Sequence, residues 1–480
     1  MSILVIDIGT SGVRAAVVRV DASIATEHHV EVLPDSPADG LVEFDAIAMA
    51  NAAIDVAKRA LNDAGPVDAL GIANQRASVV VWDRATGIPV APGLGWQDLR
   101  TLGDCLVLQA SGLRFAPNQS ATKIKHLLDL HDASRERDLC IGTIDTWIIW
   151  KLTEGRAHVT DPTNAAVTGL FSLDTLNWDE ALLDILAIPL SMMPTIVDSS
   201  GEIAPATALP GSPMICGVAG DQQSSLLGQG IVAPGPAKIT FGTGGMLDLI
   251  TGPQKPQTAA RGAAGTFPIV AWRRGEELVW GTEAIMLSAG TNVEWLRDGL
   301  GIINTVAESN EIASQVETTE GVVYVPALLG LGTPHWDYGA RGALFGITRG
   351  TGRAHIVRAV LEGIAHRGAD LVEAAEADTG RSIDTLRVDG GMSANPAFIQ
   401  SVANATGRVV ETSPALEATA LGAAFLAGLS NGTWSSFSEI AATWTPRTVV
   451  EPNGPSNREQ WLRAIERSLE WYPELSAFDF

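Results

Sequence analysis

A strand, a Gly-Thr turn and a returning strand recur at two places in this chain, and that repeat restricts the fold more than any other feature. Residues 3–20 read ILVIDIGTSGVRAAVVRV and residues 237–251 read AKITFGTGGMLDLIT. Each copy is an apolar run, a tight glycine turn and a second apolar run, the pattern of a buried strand pair. Two copies so far apart predict two related halves. They meet at residues 217–230, GVAGDQQSSLLGQG, where Asp221 directly follows a glycine turn. A carboxylate there suits a working base. It equally suits the N-cap of a helix through Gln222 to Leu227, because its oxygen would accept from free backbone N–H groups.

At 480 residues the chain exceeds one ordinary core, and its length allows two large domains or about three smaller ones. Its composition, 46% apolar and 18% charged, is that of a globular protein. No apolar run approaches a membrane span, and the opening strand lacks the basic flank and cleavage site of an export signal. A soluble, cytoplasmic protein with no membrane partner is expected. Cys105, Cys140 and Cys216 are too few and too widely spaced for a disulfide framework or a CxxC metal site, so buried reduced thiols are expected. A formal charge of −23 argues against nucleic acid, which is gripped by Lys and Arg. Phosphate ligands stay admissible, since N–H groups in glycine turns hold them without a cationic side chain.

Asp7 is the one polar residue in the strand Ile3–Ile8 and needs a partner there: a metal ion or its waters, or a buried donor. Asp45 should cap a helix with Ile47, Ala50, Ile54, Ala57 and Leu61 on its buried stripe. The strand 69–73 is interrupted by Asn74-Gln75-Arg76 and resumes at 79–82. Arg76 is either a surface charge or a grip for hydroxyls or phosphate. Trp96, between Gly95 and Gln97-Asp98, is core packing or the apolar wall of a sugar pocket.

Val232-Ala-Pro-Gly-Pro236 marks a hinge or boundary. Residues 252–268, with three Pro and three Gly, read as a surface excursion, and 283–298 as a helix interrupted at Ala289-Gly290. An apolar helix is predicted over 355–372, with Ile356, Val360, Leu361, Ile364 and Leu371 inward. Strand 386–389, the pair Gly390-Gly391 and a helix from Pro396 form either a nucleotide site or a plain strand-to-helix turn. Ser456 and Glu459 predict a capping box for a last helix with Trp461, Leu462, Ile465 and Leu469 on one face.

Taken together, these motifs resemble the FGGY carbohydrate kinases, and within them the glycerol kinases most. The likeness runs through DIGTSGVRA, NQR at 74–76, WQD at 96–98, TIDTW at 143–147, HVTDPTNA at 158–165 and GDQQ at 220–223. It continues through FGTGG, AG at 289–290, LGTPHWD, RGALFGITRGT and VDGGMSAN. The resemblance implies an α/β fold of two actin-like (ribonuclease H-like) ATPase lobes around a cleft, residues 1–233 and 234–480. It implies ATP and Mg²⁺, with a small polyol or sugar as the other substrate. By motif, Thr10, Ser11, Gly12 and Arg14 fall on the first phosphate contacts, Thr243 on the second, and Gly290, Glu294, Gly391 and Asn395 on the rest of the nucleotide site. Glu294 stands where glycerol kinases usually have Gln. Asp7 would hold Mg²⁺ through water, and Asp221 would take the proton of the attacking hydroxyl. Arg76, Trp96, Asp221 and Gln222 fall in the substrate pocket.

Three pocket positions depart from the glycerol kinase pattern. Ala77 stands for Glu, Asn118 for Tyr and Met246 for an aromatic wall. A site built for hydroxyls draws its selectivity from paired polar groups. A kinase whose preferred acceptor is not glycerol is therefore expected, with a plain glycerol kinase as the alternative. An actin-like ATPase or a sugar sensor without catalysis would have no need of NQR and GDQQ together with both Asp7 and Asp221. The sequence leaves a homo-oligomer open.

Overall fold

The computed structural model describes residues 1–257, 261–414 and 417–478. Two sheets of matching topology carry it. In the first, β1 (Ser2–Ile8), β2 (Gly12–Arg19) and β3 (Ile24–Glu31) form an antiparallel meander. On the other side of β1 lie β4 (Ala69–Asn74), β6 (Met214–Gly220) and the edge strand β5 (Ser200–Pro205), in the order β5-β6-β4-β1-β2-β3. Both β1–β4 and β4–β6 are parallel pairs.

The second sheet repeats the plan. Its meander is β7 (Ala237–Phe241), β8 (Gly245–Gly252) and β10 (Glu277–Met286), extended by β9 (Phe267–Arg274). The parallel strands are β11 (Thr385–Asp389) and β12 (Val409–Thr412), closed by the edge strand β13 (Thr448–Val450). The two Gly-Thr turns are thus the β1–β2 and β7–β8 hairpins, one per sheet, as the repeat predicts.

Helix α1 (Ala46–Ala64) is capped by Asp45, whose Oδ1 accepts from Ile47 N and Ala48 N, both at 2.9 Å. Its buried face is Met49, Ala50, Ala53, Val56, Ala57, Ala60 and Leu61. The predicted stripe is rotated: Ile47 is 41% exposed and Ile54 only partly buried, because the alanine-rich face packs chiefly against β2 and β3. Asp221 opens helix α2 (Asp221–Gly228).

Residues 283–286 correct the sequence reading. They end strand β10, and helix α3 (Thr291–Asp298) begins only after Gly290, since pairing with β8 overrides the helical spacing. Helix α4 (Arg353–Thr379) runs longer than predicted, with Val360, Leu361, Ile364 and Leu371 buried and Ile356 half-buried. Helix α5 (Pro396–Thr406) starts at its predicted proline.

Helix α6 (Ala418–Asn431) belongs to the second half of the sequence yet packs on the first sheet, where Ala420, Ala423, Ala424 and Ala427 join Ile3, Val5, Ala69 and Ala73 in one core. It also crosses α2 backbone to backbone. A Cβ on Gly228 would meet Ala418 O at 1.7 Å, and one on Gly422 would meet Ser224 O at 1.7 Å. The last predicted helix, α7 (Arg458–Glu466), lacks its capping box. Its N-cap is Asn457 in the left-handed region (φ 51), and Leu462 is 46% exposed while Trp461 and Ile465 are buried. Of the predicted excursion at 252–268, residues 258–260 lie outside the described residues. Cys105, Cys140 and Cys216 are buried and unbridged.

Candidate active site

The carboxyl ends of parallel strands, where open α/β sheets bind ligands, deliver this site. β1 ends at the Gly9–Gly12 turn, β4 at Asn74-Gln75-Arg76, β6 at Asp221 and β7 at Gly242–Gly244. Asp221 is the first residue within α2; the cap itself is Gly220. Its carboxylate accepts from the adjacent Gln222 N at 2.8 Å and stays 32% exposed. The capping alternative is therefore displaced by one residue. Burial pushes the Asp221 carboxyl above its ordinary range, while Arg76, Lys238 and the Gln222 N–H pull it back.

Arg76 lies between the sheets. Its Nε is 3.4 Å from Asp221 Oδ1, and its Nη2 donates to Glu283 Oε2 on β10 at 2.6 Å. Met246 Sδ sits 3.9 Å from the same Nη2. Gly220 makes this path possible, because a Cβ there would meet Arg76 Cδ at 2.6 Å. Arg76 is thus a buried cross-sheet ligand, and the surface-charge reading falls. Gln222 is held through its Oε1, which accepts from Lys238 Nζ at 2.8 Å.

Trp96 joins the first glycine turn to the pocket. Its indole Nε1 donates to Thr10 Oγ1 at 3.1 Å, its backbone N to Ser78 Oγ at 3.0 Å, and its carbonyl accepts from Lys123 Nζ at 3.0 Å. The residue is half-buried, its indole held by Thr10 and its backbone by Ser78 and Lys123. Ala77 is buried in the left-handed region (φ 63), its carbonyl accepting from Ser120 Oγ at 3.0 Å. Asn118 is exposed.

Asp7 lies near enough to Asp221 and Arg14 to feel their charges, and no hydrogen bond to its carboxylate is formed among the described residues. Desolvation, opposed by Arg14 and reinforced by the charges of Asp221 and Glu27, pushes its carboxyl up to about 7. Ser11 and Thr243 are exposed at the tips of their turns, and Gly12 is buried at the start of β2. Arg14 pairs with Glu27 at 3.0 Å and with Glu417 at the entry to α6.

On the second sheet, Gly290 N donates to Gly242 O at 2.8 Å, which ties the start of α3 to the second turn. Glu294 and Gly391 are exposed nearby in sequence order on α3 and before α5. Asn395 is committed to structure: its Oδ1 caps α5 through Phe398 N at 3.1 Å, and its Nδ2 donates to Ser309 Oγ at 3.0 Å.

Sequence reasoning missed four charged residues. Lys238 on β7, Asp248 on β8 and Glu283 on β10 occupy one register line across three strands, and all are buried. Lys238 Nζ lies 2.9 Å from Asp248 Oδ2. Lys238 and Asp248 carry the signal that marked Asp7, a charge inside an apolar strand. Lys123, on the helix Ala121–His131, is fully buried, and desolvation lowers its ammonium to about 7. Among the described residues there is no cluster of three or more His, Cys, Asp or Glu able to hold a metal, and no helix long and apolar enough to cross a membrane.

Comparison with known proteins places this geometry. The model of the FGGY family of carbohydrate kinases, N-terminal domain, matches residues 2–228, and that of the C-terminal domain matches residues 237–430. The chain is similar to a glycerol kinase of Dechloromonas aromatica, 42% identical over 98% of each chain. It is also similar to glycerol kinase 2 of Thermotoga maritima, 40% identical over 98% of this chain and 99% of that one. The crystal structure of Plasmodium falciparum glycerol kinase with ADP superposes with a TM-score of 0.91 at 29% identity, covering 98% of each chain. The fold is accordingly the two-lobed actin-like (ribonuclease H-like) architecture that the family resemblance implies, and the paired hairpins are its two related halves. With both of its family models matched in order along one chain, this protein belongs to the FGGY family of carbohydrate kinases.

Proposed function

We propose that this protein transfers the γ-phosphoryl group of ATP to a hydroxyl of a small polyol or sugar, with Asp221 as the base. The observation that carries the reading is the placement of Asp221 at the start of α2, 3.4 Å from Arg76 Nε. A carboxylate partly exposed to the cleft can accept the proton of an attacking hydroxyl, and burial tunes it upward toward that task. Arg76 and Gln222 orient the acceptor. Gln222 has its oxygen occupied by Lys238, which fixes its NH₂ end as the donor. The backbone N–H groups of the turns at 9–12 and 242–245, with Thr10, Ser11, Gly12 and Thr243, cradle the phosphates. Such transfer needs positioning and charge neutralisation more than covalent chemistry. Arg14, Gly290, Glu294, Gly391 and Asn395 complete the nucleotide side, Asn395 by shaping the start of α5.

Mg²⁺ fits Asp7. The carboxylate is withdrawn from bulk water and carries no hydrogen-bond donor among the described residues, so a hydrated cation would meet its need. With one acid present, Asp7 would hold the ion through its waters while phosphate oxygens supply the rest. When bound, it neutralises charge on the phosphates. We assign residues 1–233 to the acceptor lobe and 234–480 to the nucleotide lobe, and place the enzyme in the cytoplasm.

The acceptor we favour is a four- or five-carbon polyol or sugar, on the strength of Ala77, Asn118 and Met246. Glycerol is the second reading, and the names of relatives about 40% identical favour it. An ADP-release screen across glycerol, tetritols, pentitols and ketopentoses separates them. ATP turnover that no acceptor stimulates would overturn both.

A further inference from the structure

The line Lys238–Asp248–Glu283 runs across β7, β8 and β10 toward Arg76. Asp248 and Glu283 are directly paired residues on antiparallel strands, so their side chains leave the same face of the sheet side by side, and both are buried. Among the described residues neither oxygen of Asp248 has a hydrogen-bond donor, although Lys238 Nζ lies 2.9 Å from one of them. Two ionised carboxylates are acceptors only, so this pairing is satisfied when one of them carries a proton.

The charge count points the same way. Two cations, Arg76 and Lys238, face three acids, Asp221, Asp248 and Glu283, all at least partly removed from water. One proton makes the set neutral.

We propose that Asp248 and Glu283 are positioning residues whose carboxyl pair holds one proton between them and sets how Arg76 divides its charge between Glu283 and the base Asp221. The inference rests on the phosphoryl-transfer reading of Asp221. With the proton in place, Glu283 needs Arg76 less and the guanidinium serves Asp221. When the proton leaves, a second negative charge develops beside Arg76 and Asp221 becomes the stronger base. The groups facing Glu283 are Arg76 from the end of β4, Asp248 from β8 with Lys238 behind it, and Asp221 from α2. Burial, opposed by Arg76 and reinforced by the Asp248 charge, pushes the Glu283 carboxyl up to about 7.

The test compares wild type, Glu283→Gln and Asp248→Asn. Glutamine keeps an acceptor for Arg76 but removes the charge. The acid limb of kcat/KM, measured with saturating ATP and the best acceptor of the panel, should move down by about one pH unit in both variants. A loss of rate at every pH with an unmoved limb would overturn the proposal and leave Glu283 a brace for Arg76. Carbon NMR of side-chain carboxyls needs no turnover. Wild type should show a glutamate resonance titrating well above the ordinary glutamate range, absent from Glu283→Gln; a spectrum without it overturns the carboxyl pair itself. If no acceptor stimulates wild-type turnover while that resonance is present, the kinase reading fails and the shared proton stands.

Discussion

Arg76 and Glu283 form a 2.6 Å ion pair between a strand end of one sheet and a strand of the other, with side chains only 10% and 7% exposed. The pair joins the end of β4 in the first sheet to β10 in the sheet that carries the second glycine turn. A buried ion pair is weak evidence for stability, but removing one partner leaves an uncompensated charge. Here the guanidinium also reaches Asp221 and Gln223.

Arg76→Lys should therefore fold but bind the acceptor poorly. A lysine is a point charge and cannot reach Glu283, Asp221 and substrate hydroxyls with one planar fork. One lost charge-assisted hydrogen bond is worth about 1.5–3 kcal/mol, so kcat/KM should fall roughly 10- to 100-fold. Steady-state kinetics within twofold of wild type would remove Arg76 from the pocket.

Asp221→Asn should nearly abolish transfer, by roughly 10²–10⁴ in rate, with ATP affinity close to normal. Asn retains the geometry at the start of α2 and loses the proton acceptor together with the charge that faces Arg76. Calorimetric titration of nucleotide beside a turnover assay checks both halves; retained turnover would reduce Asp221 to a first-turn helix acid. Asp7→Asn should act differently, raising the Mg²⁺ concentration needed for half-maximal turnover.

Lys123 gives a stability prediction with a definite sign. Its ammonium falls to about 7 in the folded chain from an ordinary value near 10.5. Between these values the unfolded chain binds more protons than the folded one, so stability attributable to this group rises as pH increases from about 7 to about 10.5. Below pH 7 its full burial penalty is present. Lys123→Met should raise the thermal midpoint at pH 6.5 and lose that advantage by pH 10, as scanning calorimetry would register. An equal change at both values would mean that Lys123 is not titrating.

Lobe closure should pivot on the α2–α6 crossing as well as on Val232–Pro236. Helix α6 comes from the second half yet packs on the first sheet, so a rotation must bend the chain at two places. Closure excludes water that would compete for the phosphoryl group. X-ray scattering should show a smaller radius of gyration with nucleotide and acceptor together than with either alone. Gly422→Ala forces a Cβ against Ser224 O and should destabilise the fold by about 1–3 kcal/mol or more. Unchanged scattering and an unshifted melt would dismiss the pivot.

The parts of this site that can be read from the sequence are those in which one residue interrupts a local pattern. Asp7 stands out because residues 3–8 are otherwise apolar, Arg76 because polar residues stop β4, and Asp221 because it follows a glycine turn. The matching hairpins are local too, which is why the two-sheet plan is legible. Lys238, Asp248 and Glu283 matter as a line, and that line exists only through the register of three strands. Residues 283–298 also carry helical spacing, which hides the end of β10 until its partner strand is known. Asn395 shows the converse: a motif residue of the nucleotide site whose visible contacts are a helix cap and a bond to Ser309.

On the proposed reading of the pocket, the acceptor preference should turn on Ala77, Asn118 and Met246. Ala77 is buried on a left-handed backbone beside Arg76, Asn118 is exposed, and Met246 touches the guanidinium through its flexible thioether. Losing a charged and a neutral hydrogen bond to glycerol, at about 1.5–3 and 0.5–1.5 kcal/mol, lowers selectivity for it by roughly 30- to 2,000-fold. An alanine in place of a glutamate at 77 would leave space for additional carbons, and Asn118 would supply both a donor and an acceptor for another hydroxyl. kcat/KM should accordingly favour a tetritol, pentitol or ketopentose over glycerol. The double change Ala77→Glu with Asn118→Tyr should shift the preference back toward glycerol. Efficient wild-type phosphorylation of glycerol, above every longer acceptor tested, would return the enzyme to the plain glycerol kinase reading.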